Sequence, residues 1–415
     1  MAAADTAAER LTLTRLLDPA VLADPYPLYA RLRREAPVHW DPYLHAWVVT
    51  RYEDVITVLR QFSAARTPKP EQLAAIGLGE LSPVAAVLVR QMLFLDPPAH
   101  TRIRALAAQA FTPGRVAAMR AHIRDIVARL LEPPAAIGRI EVIAELAAPL
   151  PSIVTAEMLG VPAEDHGKLK ALSAEFAGIL GNFQHNPDRI ARMLHAVESL
   201  TAYFHRHIAA LRSGREPRSG LVASLLAAEV DGDRLSEEEV VANAIITMVG
   251  GQETTTNLIG NGLLSLLRHP AEWVRLRSDP SLVPTAVEEL LRYESPSQHT
   301  ARLAPADLEL GGRRIRRGQA VVAVMAAANR DPEQFPDPDR LHLNRQPNHH
   351  VAFGWGAHFC FGAALARIEG QEALRGMVAA FPHLALMAEP LVWRPNLALR
   401  GLEALPLAAA GNGAP

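Results

Sequence analysis

The longest helical pattern in the chain, SEEEVVANAIITMVGGQETTTNLIGNGLLSLLRHP, is the element to which everything else has to be fitted. Ser236 followed by Glu239 forms a capping box at its start, and Pro270 ends it. A helix from Glu237 to Arg268 is about 48 Å long at 1.5 Å per residue, enough to cross the protein. Its middle breaks helix preferences, because Gly250-Gly251 precedes Gln252-Glu253-Thr254-Thr255-Thr256. Paired glycines and β-branched threonines cost helix stability. They are tolerated where a helix bends, where a neighbour needs a packing notch, or where a ligand needs room. Pattern alone leaves these open.

Other elements follow in chain order. Residues 27–35 read as a short amphipathic helix, His45–Thr50 as β-rich, and 52–60 as helical again. Residues 61–98 contain five prolines and read as an irregular connection, a class of segment that often forms a functional lid. Met92, Leu93 and Phe94 either line a pocket there or join the core. In the helix expected within Asp96–Pro113, His100 and Arg104 stand at i, i+4 on one face, which suits a solvated face or an anion site. About five helices are expected from Arg115 to Val230, with Pro133–Pro134, Pro149–Pro151, Gly160–Pro162, Asn186–Pro187 and Gly214–Pro217 as dividers. Leu169, Leu172, Phe176 and Leu180 recur there at helical spacing. Glu289 and Arg292, at i, i+3, read in isolation as a surface ion pair. Beyond Ser295 come hairpin strands with Gly-Gly and Arg-Gly turns.

Bulk composition removes several function classes. The net charge is −2, with 42 basic against 44 acidic residues, so no excess of charge favours nucleic acid. Apolar residues make up 49% of the chain, which places it among globular proteins. A single cysteine rules out an internal disulfide and a four-cysteine cluster, and fits a reducing compartment. The N-terminus has no basic start followed by an apolar core, and no run approaches the roughly 20 apolar residues that span a bilayer. The expectation is a cytoplasmic monomer with no membrane or nucleic-acid partner, a lead-in over 1–25, one domain over 26–406 and a disordered tail over 407–415.

The one cysteine, Cys360, lies in HHVAFGWGAHFCFGAALARIE, His349–Glu369. Glycines lead in and a helix-forming run leads out, so a tight loop presents one sulfur at a helix N-terminus. A lone cysteine is commonly a small buried hydrophobe, whereas a thiolate beside a helix N-terminus is a good metal ligand. Phe353, Gly354, Gly356, His358, Cys360 and Gly362 meet every fixed position of F-G-x-G-x-H-x-C-x-G. This stretch resembles the haem-binding loop of the cytochrome P-450 family of haem-thiolate monooxygenases.

The resemblance implies roles for the other motifs. Cys360 would be the proximal ligand of haem b, a thiolate that favours O–O cleavage. Phe353 would pack by the loop, Gly362 would belong to it, and His358 would meet a haem propionate. His100 and Arg104 resemble the H-x-x-x-R element that binds propionates, and Arg302 resembles a second propionate arginine. Gly250 to Thr254 resembles the A/G-G-x-D/E-T-T oxygen motif. Ile246, Gly250 and Thr254 would face the haem, with Gly250 leaving room for dioxygen and Glu253 and Thr254 as the acid–alcohol pair that relays protons. Gly250 departs from the commoner alanine. Glu289 and Arg292 resemble the buried E-x-x-R pair, with Arg340 as its third partner. Met92, Leu93, Phe176, Leu180, Ile246, Val249, Gln298 and Leu397 would edge the substrate pocket, with Ala398 and Leu399 beside them.

The fold implied is mainly α, a single cytochrome P-450 domain with small β-sheets and haem between the long central helix and the cysteine-loop helix. The reaction implied is insertion of one atom of O2 into a C–H or C=C bond of an apolar small molecule, a polyketide or macrolide before other secondary metabolites. Electrons would come from NAD(P)H through a ferredoxin and ferredoxin reductase, or a flavodoxin-type donor, docking near Arg104, Arg115 and Arg367. The alternatives are a haem-binding gas sensor or carrier, and a peroxide-driven haem enzyme. An intact Glu253–Thr254 pair argues against both.

Overall fold

A computed structural model describes residues 11–178, 187–217, 219–230, 232–387 and 390–409. The central helix runs Glu237–Leu267 and opens with the expected box: Glu239 N donates to Ser236 Oγ at 3.2 Å, and Ser236 N donates to Glu239 Oε2 at 2.9 Å. Most of its residues are buried. Helices Pro149–Leu159, His166–Ala177, Pro187–Ser213, Val283–Tyr293 and Ala363–Ala380 pack around it. The last of these, the thiol helix, begins three residues after Cys360.

Small residues set the helix spacing. A Cβ on Gly251 would sit 2.7 Å from Thr155 Oγ1, and one on Gly370 of the thiol helix 3.1 Å from Leu258 Cδ2. A Cβ on Gly250 would meet no protein atom within 4 Å. The two adjacent glycines therefore do different things. Gly251 is a packing notch, and Gly250 leaves open space.

A four-stranded sheet lies in the order Val38–Asp41, Ala46–Val49, Ala320–Ala323, Thr300–Leu303. The outer pairs are antiparallel and the inner pair parallel. Trp47 and Arg302 flank Val321 in register, which fixes the strand that carries Arg302. The Gly-Gly turn falls as expected, between Leu308–Leu310 and Arg313–Ile315. Among the described residues, no helix is long and apolar enough to cross a membrane.

Several local expectations need correction. Pro133 and Pro134 do not divide helices; both lie in the final turns of Pro113–Ile137, whose C-cap is Gly138. The segment 61–98 contains short helices at Pro70–Ala75 and Ser82–Leu88. The lead-in is anchored, because Leu13 and Leu16 are fully buried and Thr12 donates to Asp41 at 2.7 Å. The tail begins later than residue 407. Strand Pro406–Ala409 is the centre of a sheet with Leu384–Leu386 and Arg139–Glu141. Leu180 and Asn186 lie outside the described residues.

Glu289 and Arg292 are wholly buried and paired through two bonds of 2.8 Å, not on the surface. The third partner is Arg345, whose Nε donates to Glu289 at 3.1 and 3.2 Å. Arg340 contributes only its carbonyl, which accepts from Arg292 and Arg345, while its side chain is exposed. His342 N and Asn348 Nδ2 complete the shell around Glu289. A buried charge stripped of its partner costs about 3–5 kcal/mol, whereas an exposed side chain costs within about 0.5 kcal/mol. Arg345→Ala is thus expected to lower the denaturation midpoint sharply and Arg340→Ala to leave it unchanged, as read by thermal unfolding of the two variants.

Candidate active site

The loop before the thiol helix is built on two glycines in the left-handed region, Gly354 (φ 72°) and Gly356 (φ 69°). Only with such turns does the chain fold back so that Cys360 N donates to Phe353 O at 2.8 Å. Cys360 lines a cavity of about 560 Å³ and is exposed to it. Burial pushes its thiol up. The amides of Gly362 and Ala363 and the charges of Arg104 and Arg367 pull the other way. Arg367 grips Glu288 through bonds of 2.7 and 2.8 Å and lies over the Phe353 ring at 4.6 Å. Its guanidinium is therefore committed within the fold.

Basic side chains converge on the same cavity. His100, Arg104, Arg302 and His358 all line it, as does Arg66, which no motif had pointed to. The rings of His100 and His358 are 4.2 Å apart, and Arg104 donates to Phe359 O at 2.7 Å. Arg66 lies 4.6 Å over the Phe94 ring. Burial, and then the repulsion of Arg302, push Arg66 down to about 9. Burial pushes Arg302 down to about 10 against the pull of Asp96. His358 falls to about 4, from burial first and then from His100 and Arg302. Both ring nitrogens of His100, and Nε of Arg302, are buried without a protein partner. A group that brings carboxylates into this cavity satisfies these donors, and a metal it carries is met by Cys360. The donor set therefore fits haem b.

The same cavity is lined by the middle of the central helix. Ile246, Val249, Gly250, Glu253 and Thr254 line it. Thr254 Oγ1 donates back to Gly250 O at 2.9 Å. Burial raises Glu253 and Arg394 lowers it, with a net rise. Met92, Leu93 and Phe176 also line the cavity, and Met92 N is tied to Asn243 Oδ1 of the central helix at 3.0 Å.

Two expected pocket residues turn elsewhere. Gln298 is bound to Tyr29 Oη and Ser295 O. Leu397 joins the core formed by Leu28, Tyr29 and Val48. Asn396 Oδ1 accepts from the amides of Ala398 and Leu399, and this turn sends Leu397 one way and its two followers into the cavity. His299, beside Gln298, lines the cavity instead. Burial pushes it down to about 4, and its ring bonds the Leu397 backbone.

Glu369 was also missed. It lines the cavity from the thiol helix at 1% exposure, takes a hydrogen bond from Thr255, and is pushed up to about 8 by burial. An acid in the apolar stripe of Leu365, Ile368 and Ala373 was the available signal.

Comparison with known proteins agrees with this geometry. The profile of the Cytochrome P450 family matches residues 48–390. The chain is 37% identical over 389 residues to the biotin biosynthesis cytochrome P450 of Bacillus subtilis, covering 93% of this chain and 96% of that one. It is 37% identical over 396 residues to the 6-deoxyerythronolide B hydroxylase of Saccharopolyspora erythraea, covering 92% and 96%. The crystal structure of P450BioI with a hexadec-9Z-enoic acid-ligated acyl carrier protein superposes with a TM-score of 0.88 at 35% identity, covering 94% and 99%. The chain belongs to the cytochrome P450 family. It is a haem b monooxygenase that uses O2 and electrons from a redox partner.

The buried carboxyl of Glu369 makes stability depend on pH. Unfolded, it titrates near 4.5, and folded near 8. Between those values the folded state holds a proton the unfolded chain has lost, so stability falls as pH rises. Glu369's contribution is complete below about pH 4.5 and is lost as pH rises through about 8. Glu369→Gln is expected to flatten the decline in Tm over this window, measured by calorimetry on the holoenzyme. Parallel curves for the two proteins would show that the carboxyl is already ionised.

Proposed function

We propose that this enzyme inserts one oxygen atom of O2 into a C–H or C=C bond of a largely apolar secondary metabolite, a polyketide or macrolide, with electrons from NAD(P)H through a ferredoxin and its reductase. The supporting observation is the cavity wall facing Cys360: Met92, Leu93, Phe94, Phe176, Ile246 and Val249, with polar groups at Thr247 and His299. Such a wall binds by apolar burial and orients its ligand through a few polar contacts. The relation to a 6-deoxyerythronolide B hydroxylase supports a macrolide. A long acyl chain is the second reading, favoured by the likeness to P450BioI with its lipid-bearing carrier protein.

The haem, when bound, supplies dioxygen activation. In this reading Cys360 ligates its iron, and the amides of Gly362 and Ala363 stabilise charge on the sulfur. His100, Arg104, Arg302 and His358 hold the propionates, with charge-assisted bonds replacing water. Phe353 backs the ligand loop. Gly250 leaves space for dioxygen. Glu253 gathers protons from solvent, and the Thr254 hydroxyl orients the water that passes them on. Arg115 belongs to the face on which the electron donor docks. A reduced cytoplasmic setting suits a protein whose one thiol must remain free, and the chain acts as a monomer.

Two measurements test this. The reduced, CO-bound spectrum is expected to carry the long-wavelength Soret band of thiolate ligation in the wild type and to lose it in Cys360→Ser. A histidine-like band in the wild type would remove Cys360 from the site. Titration of the ferric enzyme with a fourteen-membered macrolactone is expected to shift the Soret band where a C16 fatty acid does not, and the reverse result would replace the polyketide reading with the acyl one.

A further inference from the structure

The carboxylate of Glu253 is engaged by the C-terminal hairpin, while the Thr254 hydroxyl bonds back to Gly250 O. Arg394 Nη1, from the C-terminal hairpin, forms a very short ion pair with it. Nη2 of the same guanidinium donates to Asn257 Oδ1 at 2.6 Å, one helical turn further on. Arg394 N donates to Gly401 O at 2.9 Å, and Trp393 pairs with Leu402, so the hairpin closes directly behind this side chain. The approach is tight, because a Cβ on Gly401 would lie 2.0 Å from Asn257 Oδ1 and 2.8 Å from Arg394 Nη2. The hairpin is thus seated on the central helix in part through this guanidinium, which also holds the acid; Asn261 Nδ2, donating to Arg400 O at 2.9 Å, adds a second bond.

The same hairpin forms part of the cavity wall through Ala398 and Leu399. Asn396, which shapes its tip, also donates to Ala177 O at the end of the helix His166–Ala177. Among the described residues Arg394 is the charged group set against Glu253; Thr254 and Asn257, its neighbours on the helix, are neutral. The guanidinium's second acceptor, Asn257, keeps it bound if Glu253 turns away. Its Nε is buried without a partner, so the pairing is incomplete.

We propose that Arg394 is a positioning residue for proton delivery: it pairs with the Glu253 carboxylate and holds it against the C-terminal hairpin, so that the acid end of the relay is set by the hairpin that also walls the substrate cavity. This rests on the reading of Glu253 as the relay's acid. Removing the opposite charge raises a carboxyl by about one to three pH units. In Arg394→Gln the carboxyl therefore titrates at higher pH than in the wild type and loses its charged anchor on the hairpin.

The test uses holoenzyme variants whose haem content and CO-bound spectrum match the wild type. Infrared pH titrations of the resting, substrate-free enzymes are expected to show a protonated-carboxyl band that persists to higher pH in Arg394→Gln than in wild type. That band should be absent from the Arg394→Gln/Glu253→Gln double variant. The pH limb of O2 consumption by the chemically reduced enzyme is expected to move up by about one unit or more, to return toward wild type in Arg394→Lys, and to vanish in Glu253→Gln. An unchanged band and limb in Arg394→Gln, with the limb lost in Glu253→Gln, would overturn the role of Arg394 and leave the relay intact. A limb that survives Glu253→Gln would overturn the acid assignment itself, and with it this inference. Should Arg394→Gln lose its haem, the infrared titration of Arg394→Met decides: an upward shift of the Glu253 band supports the role, and an unmoved one rejects it.

Discussion

Five basic side chains, Arg66, His100, Arg104, Arg302 and His358, line one internal cavity, and Asp96 acts on several of them from its edge. Asp96 is itself bound by Ser63 and the Ala64 amide. Burial and mutual repulsion press these groups toward their neutral forms, which is the signature of a site built for an anion it does not itself supply. A ligand that brings two carboxylates binds the folded chain and not the unfolded one, so it adds stability as well as chemistry. The contrast with Glu289 is direct. There the buried charges are closed on one another, with two arginines, an amide and an asparagine around one carboxylate. One network is complete within the protein and holds the chain beneath the site. The other is left open toward the cavity.

What could be read from sequence was whatever depends on local pattern. The central helix was legible to within one residue because its capping box and terminal proline are local signals. The cysteine loop was legible because two of its glycines are demanded by backbone sign, not by any distant contact. Arg345 was not legible. Arg330, Arg340 and Arg345 all fall in a stretch without helix or strand, and which guanidinium reaches Glu289 depends on the path of that loop. The structure divides the work, giving the carbonyl of Arg340 and the side chain of Arg345.

Gln298, Leu397 and the prolines mark the same limit. Periodicity says that a residue is buried but not on which side. Leu397, expected at the pocket edge, is buried against Leu28 and Tyr29 of the helix Tyr26–Glu35 and not in the cavity, because the Asn396 turn reverses the chain at that point. Pro133 and Pro134 each remove one backbone donor from their helix, but the helix continues only to Ile137 beyond them, so they lie in its closing turns and do not divide it. Arg66 has no motif and no periodic partner; only the folded path of 61–98 brings it beside Arg302. Glu369 was different, since its place in an apolar stripe could have been read.

The middle of the central helix shows why residues so unfavourable to a helix are kept together. Several of them have a neighbour on a different element. Gly251 admits Thr155 of one helix, Thr255 donates to Glu369 of the thiol helix, and Glu253 and Asn257 take the guanidinium of the C-terminal hairpin. Asn243 and Asn261 add bonds to Arg90 O and Arg400 O nearer the two ends. A helix held only by apolar contacts can rotate or slide with modest change in buried area, because packing of that kind is not directional. Hydrogen bonds to several surrounding elements remove that freedom, since a rotation of one residue, about 100°, would break them all. The local cost in helix propensity is thus offset by a fixed rotational setting. That setting turns the open space at Gly250, and the hydroxyl of Thr254 beside it, toward the sulfur across the cavity.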